Sequence, residues 1–227
     1  MSMPRRTLMG AFVAICTAAL LAGCSASRRP EETSADGLRR VPSRSNGGVF
    51  REPGWPFNQY KRFVLEPLTV TFVEDWERQH PEASDKEIKR IRDEAAKLFR
   101  EQFEQELIEK GKYGFATEPE ADVLIVAPAI TDLDIAAPES DDMRRQSFAM
   151  RSISMRITAE VRDAASGRLV GRVDMFSPSR EYGTHELRPV NRTSNAHEVA
   201  QAIRQWTQLF REALDVAKNE KKDSKLE

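Results

Sequence analysis

The sequence predicts an α+β protein. It reads as a two-layer sandwich, with two amphipathic helices on one face of a mixed, mostly antiparallel sheet. Three observations carry this. Apolar periodicity switches between two and about 3.6 along the chain in the order β-α-β-β-β-α. The first crossover holds a helix, so strands one and two can run parallel, with a right-handed connection. The third strand has one apolar and one polar face, so the sheet needs cover on one side only.

The first strand spans Phe63 to Val73, where Leu68, Val70 and Phe72 alternate with Thr69, Thr71 and Val73. Pro67 interrupts it and places it at an edge or a bulge. The first helix opens at Ser84-Asp85-Lys86-Glu87, a capping box with Ser84 as N-cap and Glu87 at N3. Ile88, Ile91, Ala95, Phe99, Phe103 and Leu107 share one face. Gly111 stops the helix after Lys110.

The second strand runs from Asp122 to about Ile135. Its apolar run Val123-Leu124-Ile125-Val126-Ala127 predicts a central strand covered on both faces. A polar loop around residues 138–145 follows. In the third strand, Ile153, Met155, Ile157, Ala159 and Val161 alternate with polar residues. Asp163-Ala164-Ala165-Ser166-Gly167 is a hairpin turn, with Gly167 free to take positive φ. The fourth strand runs from Arg168 to about Phe176, and strands two to four form a meander. After a long loop, 177–193, Ser194 or Asn195 caps a helix striped with Val199, Ile203, Trp206, Phe210 and Leu214.

The segments outside this domain have their own signatures. Residues 1–23 read as a secretory signal. Arg5 and Arg6 precede an uncharged apolar stretch from about Leu8 to Leu21, shorter than the roughly 20 residues a bilayer span needs. The stretch ends in Leu21-Ala22-Gly23-Cys24, which resembles a bacterial lipobox. That resemblance makes Cys24 the lipidation site, with Cys16 lost along with the signal. Ser25 after the cysteine favours the outer membrane over the inner one, by analogy with related lipoproteins. Residues 24–59 read as a lipid-anchored flexible tether, with an r.m.s. span of roughly 30–35 Å. Within 25–62, eight basic residues oppose four acidic ones. Gly54-Trp55-Pro56-Phe57 is a turn with two aromatics, expected to dock on the domain. The single domain is assigned to residues 60–217, and 218–227 to a charged tail that frays.

Composition narrows the function. At 227 residues the chain holds one domain plus extra segments, against about 150 residues per domain. With 35 basic and 36 acidic side chains, it does not read as a strongly basic nucleic-acid binder. Two cysteines cannot build a disulfide framework or a four-cysteine zinc site, and there are three histidines. The sequence holds no G-x-S-x-G elbow, P-loop, G-x-G-x-x-G or H-E-x-x-H. No cofactor site is predicted.

Two groups of polar residues remain. Asp132 and Asp134, at i and i+2, could share a face near the end of strand two, with Asp141 and Asp142 in the next loop. Together they could hold a hard cation, although they lack the order of an EF-hand loop. A solvated strand end and loop explains them more simply. Arg156, Thr158 and Arg162 on the polar face of strand three, with Arg172 from strand four, would form a mixed-charge platform if that face is open. Cross-strand salt bridges are the simpler account. Tyr182 and His185 add the densest mix of titratable and aromatic groups, in the loop before the last helix.

The lipobox, the strand near Phe63, the Asp122–Val126 strand, the run Asp163-Ala164-Ala165-Ser166-Gly167-Arg168-Leu169-Val170-Gly171 and the closing helix with Trp206 resemble a Gram-negative lipoprotein family, domain of unknown function 3313. The resemblance implies a lipidated envelope protein and supplies no catalytic residues. The expectation is a non-enzymatic, periplasm-facing binding or assembly module. Its membrane contact would run through acylated Cys24, and its partner would be an envelope protein or the cell wall. Two alternatives stay open: an auxiliary subunit of an envelope transport or secretion complex, and a periplasmic hydrolase using carboxylates near Asp132 and Asp141.

Overall fold

A computed structural model describes residues 33–42, 47–81, 83–135, 147–149, 153–178, 188–190 and 192–223. Residues 31–227 form one compact unit. Its strands are β1 Arg39–Val41, β2 Gly48–Arg51, β3 Arg62–Leu65, β4 Thr69–Phe72, β5 Gly114–Phe115, β6 Val123–Ile135, β7 Ser147–Ala149, β8 Ile153–Asp163, β9 Leu169–Ser177 and β10 Arg188–Val190. The helices are α1 Trp76–Gln79, α2 Asp85–Phe103 and α3 Arg192–Asp223.

The main sheet runs β1-β2-β9-β8-β6-β3-β5, with β4 also paired to β6. The meander β6-β8-β9 is antiparallel, and β3 and β4 lie parallel to β6. The α+β class and the mixed, mostly antiparallel sheet are as predicted. Ile130, Leu133 and Ile153 meet α2 and the start of α3, while Val161 and Val173 meet Phe210 and Leu214 of α3. Both long helices therefore cover the same face. The opposite face carries Arg156, Thr158, Glu160 and Arg162, none of them buried.

Pro67 breaks the first strand into two. β3 pairs with β6 as far as Leu65 opposite Val126, and β4 resumes at Thr69 opposite Ala129. Val126 turns its backbone toward β3, where its carbonyl accepts the Glu66 N–H at 2.9 Å. Strand alternation turns Pro128 to the same side. Its missing N–H thus faces the gap between β3 and β4, where no ladder bond is lost.

Ser84 caps α2, its hydroxyl oxygen accepting the Glu87 N–H. Ile88, Ala95, Phe99 and Phe103 are buried as their spacing predicts. The helix then widens into a π-helical segment over Glu104–Lys110, which buries both Glu106 and Leu107. Gly111 ends it as predicted, and for a steric reason: a Cβ there would lie 2.6 Å from the Leu107 carbonyl oxygen. The left-handed residue is the next one, Lys112, with φ 59°. Gly167 takes φ 69° in the predicted hairpin turn.

The structure differs from the sequence reading in five places. First, residues 33–42 and 47–59 are not tether. Instead β2 pairs with β9 and β1 pairs with β2, widening the sheet by two strands. Val49, Phe57 and Tyr60 enter the core. A hydrogen-bonded chain secures this segment: the Trp55 indole N–H donates to Tyr60 Oη at 2.8 Å, and Tyr60 donates to Asp163 Oδ1 at 2.9 Å. Short apolar runs between arginines and glycines carry too little periodicity to announce such strands. Second, β6 is central but not covered on both faces: Leu124, Val126 and Ile130 are buried, while Ile125, Ala127 and Ala129 are half-buried. Third, the 177–193 stretch expected as a loop contains β10, which pairs with β7, a short strand after the polar loop around 138–145. Fourth, α3 begins at Arg192, ahead of Ser194 and Asn195. Fifth, α3 continues to Asp223, and Lys218, placed in the tail by sequence, lies with its ammonium 3.8 Å from the Tyr113 ring centroid.

Candidate binding surface

Strand register assembles the polar platform. Between β8 and β9, Thr158 lies opposite Asp174, Glu160 opposite Arg172, and Arg156 opposite Phe176. β2 sets Phe50 beside Arg172. β6 sets Ala127, Ala129 and Thr131 beside Glu160, Thr158 and Arg156. Because alternate side chains of a strand share a face, these residues form one open surface across four strands. Small side chains on β6 leave the longer ones of β8 and β9 standing clear.

The four predicted platform residues on β8 and β9 meet here, and each has a partner. The Thr158 hydroxyl donates to Asp174 Oδ1. Arg172 Nε donates to Asp174 Oδ2 at 3.2 Å, and its Nη1 donates to Asp36 Oδ2 at 2.5 Å. Arg162 donates to Glu160 at 2.6 Å and to the Gly167 carbonyl at 3.3 Å. Arg156 forms an ion pair with Asp132 at 3.7 Å. Hydrogen bonding from Ser34, with Arg172 nearby, holds the Asp36 carboxyl below its ordinary value.

Aromatic rings lie under the guanidiniums. Arg172 sits 4.9 Å from the Phe50 centroid and Arg40 sits 6.0 Å from it. Arg156 sits 5.6 Å from Phe176, which is 49% exposed. Such a surface offers flat cation–π patches and a compensated lattice of charges that a ligand can enter by exchanging partners. Sequence reasoning missed Asp174, Phe50, Phe176, Asp36 and Arg40. Arg172, Asp174 and Phe176 stand at i, i+2 and i+4, which was the available signal for β9. Phe50 and Arg40 lie in the stretch that reads as tether.

The other predicted groups scatter. Asp132 takes φ 53° at the bulge of β6, where the register with β8 shifts. It is exposed and Asp134 is half-exposed, both outside the core. Asp141, Asp142, Tyr182, His185 and Cys24 lie outside the described residues. Among the described residues, no group of three His, Cys, Asp or Glu side chains is placed to hold a metal ion.

A separate charged cluster sits between the π segment and α3. Glu106 is 1% exposed, with Lys110 donating to Oε1 and Arg211 Nε donating to Oε2 at 3.4 Å. Burial pushes its carboxyl up, but Lys110 and Arg211 outweigh that and hold it below its ordinary value. Burial raises the Tyr113 phenol, and its buried oxygen has no hydrogen-bond partner among the described residues.

A family described as "Protein of unknown function (DUF3313)" matches residues 32–210. The chain belongs to this family. The family segment begins at the start of the compact unit and contains the whole platform on β2, β6, β8 and β9. No curated protein matches the chain in sequence. Among solved structures, it is similar to the PelC dodecamer from Paraburkholderia phytofirmans, at 9% identity and a TM-score of 0.35, covering 70% of this chain and 96% of that one. It is also similar to a PDZ domain protein from Parabacteroides distasonis ATCC 8503, at 10% identity and a TM-score of 0.38, covering 73% of this chain and 35% of that one.

Proposed function

We propose that this protein is a cell-envelope lipoprotein, held by acyl chains on Cys24, whose domain is a non-enzymatic binding or assembly module facing the periplasm. The order of the N-terminal segments carries the reading. Arg5 and Arg6, an uncharged apolar stretch and Leu21-Ala22-Gly23-Cys24 occur in sequence, and the family domain starts at residue 32. Small residues before Cys24 suit a narrow peptidase site, and its thiol supplies the nucleophile for the lipid bond. At about 0.8 kcal/mol per buried methylene, one myristoyl chain binds only marginally, whereas several chains anchor stably. No helix among the described residues is long and apolar enough to cross a membrane. The open sheet face, with paired arginines over Phe50 and Phe176, is the surface that would meet a partner.

Mass spectrometry of the natively expressed protein tests the anchor. The expected product begins at Cys24 and carries diacylglycerol on sulfur and an acyl group on nitrogen. Cys24→Ala should keep its leader and leave the detergent phase. An unmodified thiol in the wild type overturns the reading. A photo-crosslinker at Phe176 should capture a discrete envelope component, and labelling no stronger than from exposed Lys97 on α2 would count against this face.

A further inference from the structure

We propose that Asp36 is a built-in stand-in for a carboxylate of the partner, and that an acidic protein segment displaces it from Arg172 on the open sheet face. This rests on that face being the binding surface, and the test keeps the two questions apart.

Arg172 holds two carboxylates of different standing. Asp174 lies two positions along β9 and accepts from Arg172 Nε at 3.2 Å. The Thr158 hydroxyl on β8 donates to its other oxygen, which fixes Asp174 within the sheet. Asp36 lies 136 positions away along the chain and accepts from Nη1. The Phe50 ring centroid is 4.9 Å from the guanidinium carbon. Asp174 and Phe50 therefore keep the guanidinium in place when Asp36 leaves.

Asp36 can leave without opening its turn. The Ser34 N–H donates to the Leu38 carbonyl at 2.8 Å, and the Ser34 hydroxyl donates to the same oxygen at 2.9 Å. The Gly37 N–H donates to the Ser34 carbonyl at 2.9 Å, and Leu38 is buried. None of these bonds uses the Asp36 side chain. Rotation of that side chain alone releases Arg172.

The exchange is favourable for a carboxylate from another chain. The side chains of Arg172 and Asp36 are 25% and 26% exposed, so solvent reaches the pair and weakens it. Asp36 engages a single guanidinium nitrogen. An incoming carboxylate is free to take both Nη donors in a bidentate pair, the stronger geometry. It replaces Asp36 one for one, so the balance of charge on the face is kept.

The rest of the face fits the same partner. Arg156 and Arg162 are also matched to carboxylates, those of Asp132 and Glu160. Phe176, 49% exposed and four positions from Arg172, offers apolar contact beside the acid.

Fluorescence anisotropy on the full chain in uncharged detergent tests the exchange. The probe is a fluorescein-labelled peptide of alternating Glu and Thr. Asp36→Asn and Asp36→Ala should each bind it several-fold more tightly than wild type, with unchanged circular dichroism. Asp93→Asn, the same charge change on α2 across the sheet, should bind as wild type does. In an Arg172→Gln background, Asp36→Asn should bring no gain. Arg172→Lys keeps the charge without the planar fork and should lose most of the gain. No gain from either Asp36 variant, or an equal gain from Asp93→Asn, overturns the stand-in. A gain on phosphatidylglycerol vesicles but not on the peptide overturns the acidic protein partner. The crosslinker at Phe176 reports separately. No capture overturns the face itself, whereas capture without a peptide gain overturns only the role of Asp36.

Discussion

At the scale of single residues, Tyr60 and Asp163 join segments a hundred positions apart. Tyr60 is 1% exposed, accepts from Trp55 and donates to Asp163, whose other oxygen accepts from the Ser166 N–H at 2.9 Å and the Ser166 hydroxyl. Removing one hydroxyl leaves two polar groups short of a partner. Tyr60→Phe should cost about 1–3 kcal/mol, read from the urea midpoint. The same chain makes stability depend on pH. Burial pushes the Asp163 carboxyl up, but the bonds from Ser166 and Tyr60 more than compensate, so its folded value lies below the ordinary 3.8. The stability it contributes is present above the unfolded value and is lost as pH falls through the lower folded value. The wild type should therefore weaken steadily below about pH 4. Asp163→Asn, less stable at neutral pH, should show a shallower acid slope in denaturant melts.

At the scale of elements, α3 is the principal cover of the sheet. Trp206 is fully buried, stacks 5.3 Å from Phe210, meets Phe99 of α2 at 5.4 Å and donates its indole N–H to the Val173 carbonyl at 3.2 Å. One side chain thus ties both helices to β9. Trp206→Ala should cost about 3–5 kcal/mol, through a cavity and a lost bond, and calorimetry would show the drop. These helices were legible because an amphipathic stripe at 3.6 spacing is a local property. The π segment was not: it buries Glu106 against Arg211 of α3, a meeting of distant segments that no local spacing records.

At the scale of the molecule, the domain begins earlier than periodicity suggests. A chain starting at residue 60 lacks β1, β2 and Phe57, leaving the β9 edge bare over an uncovered part of the core. Such an edge invites aggregation. A chain starting at residue 31 keeps the whole compact unit. Size-exclusion chromatography and circular dichroism should show the second as a monodisperse folded species and the first as aggregated or unfolded. A soluble, folded chain from residue 60 would show that the two added strands are dispensable.

The sequence by itself determined the class of fold, the two long helices, the meander, the hairpin at Gly167 and the shared face of Arg156, Thr158, Arg162 and Arg172. Each follows from spacing along a few consecutive residues, where period and turn chemistry are enough. Tertiary structure alone decided that Arg39–Val41 and Gly48–Arg51 join the sheet, that Asp174 and Asp36 neutralise Arg172, and that Phe50 lies under it. These are pairings between distant segments, and their energy comes from burial and register that no local pattern records.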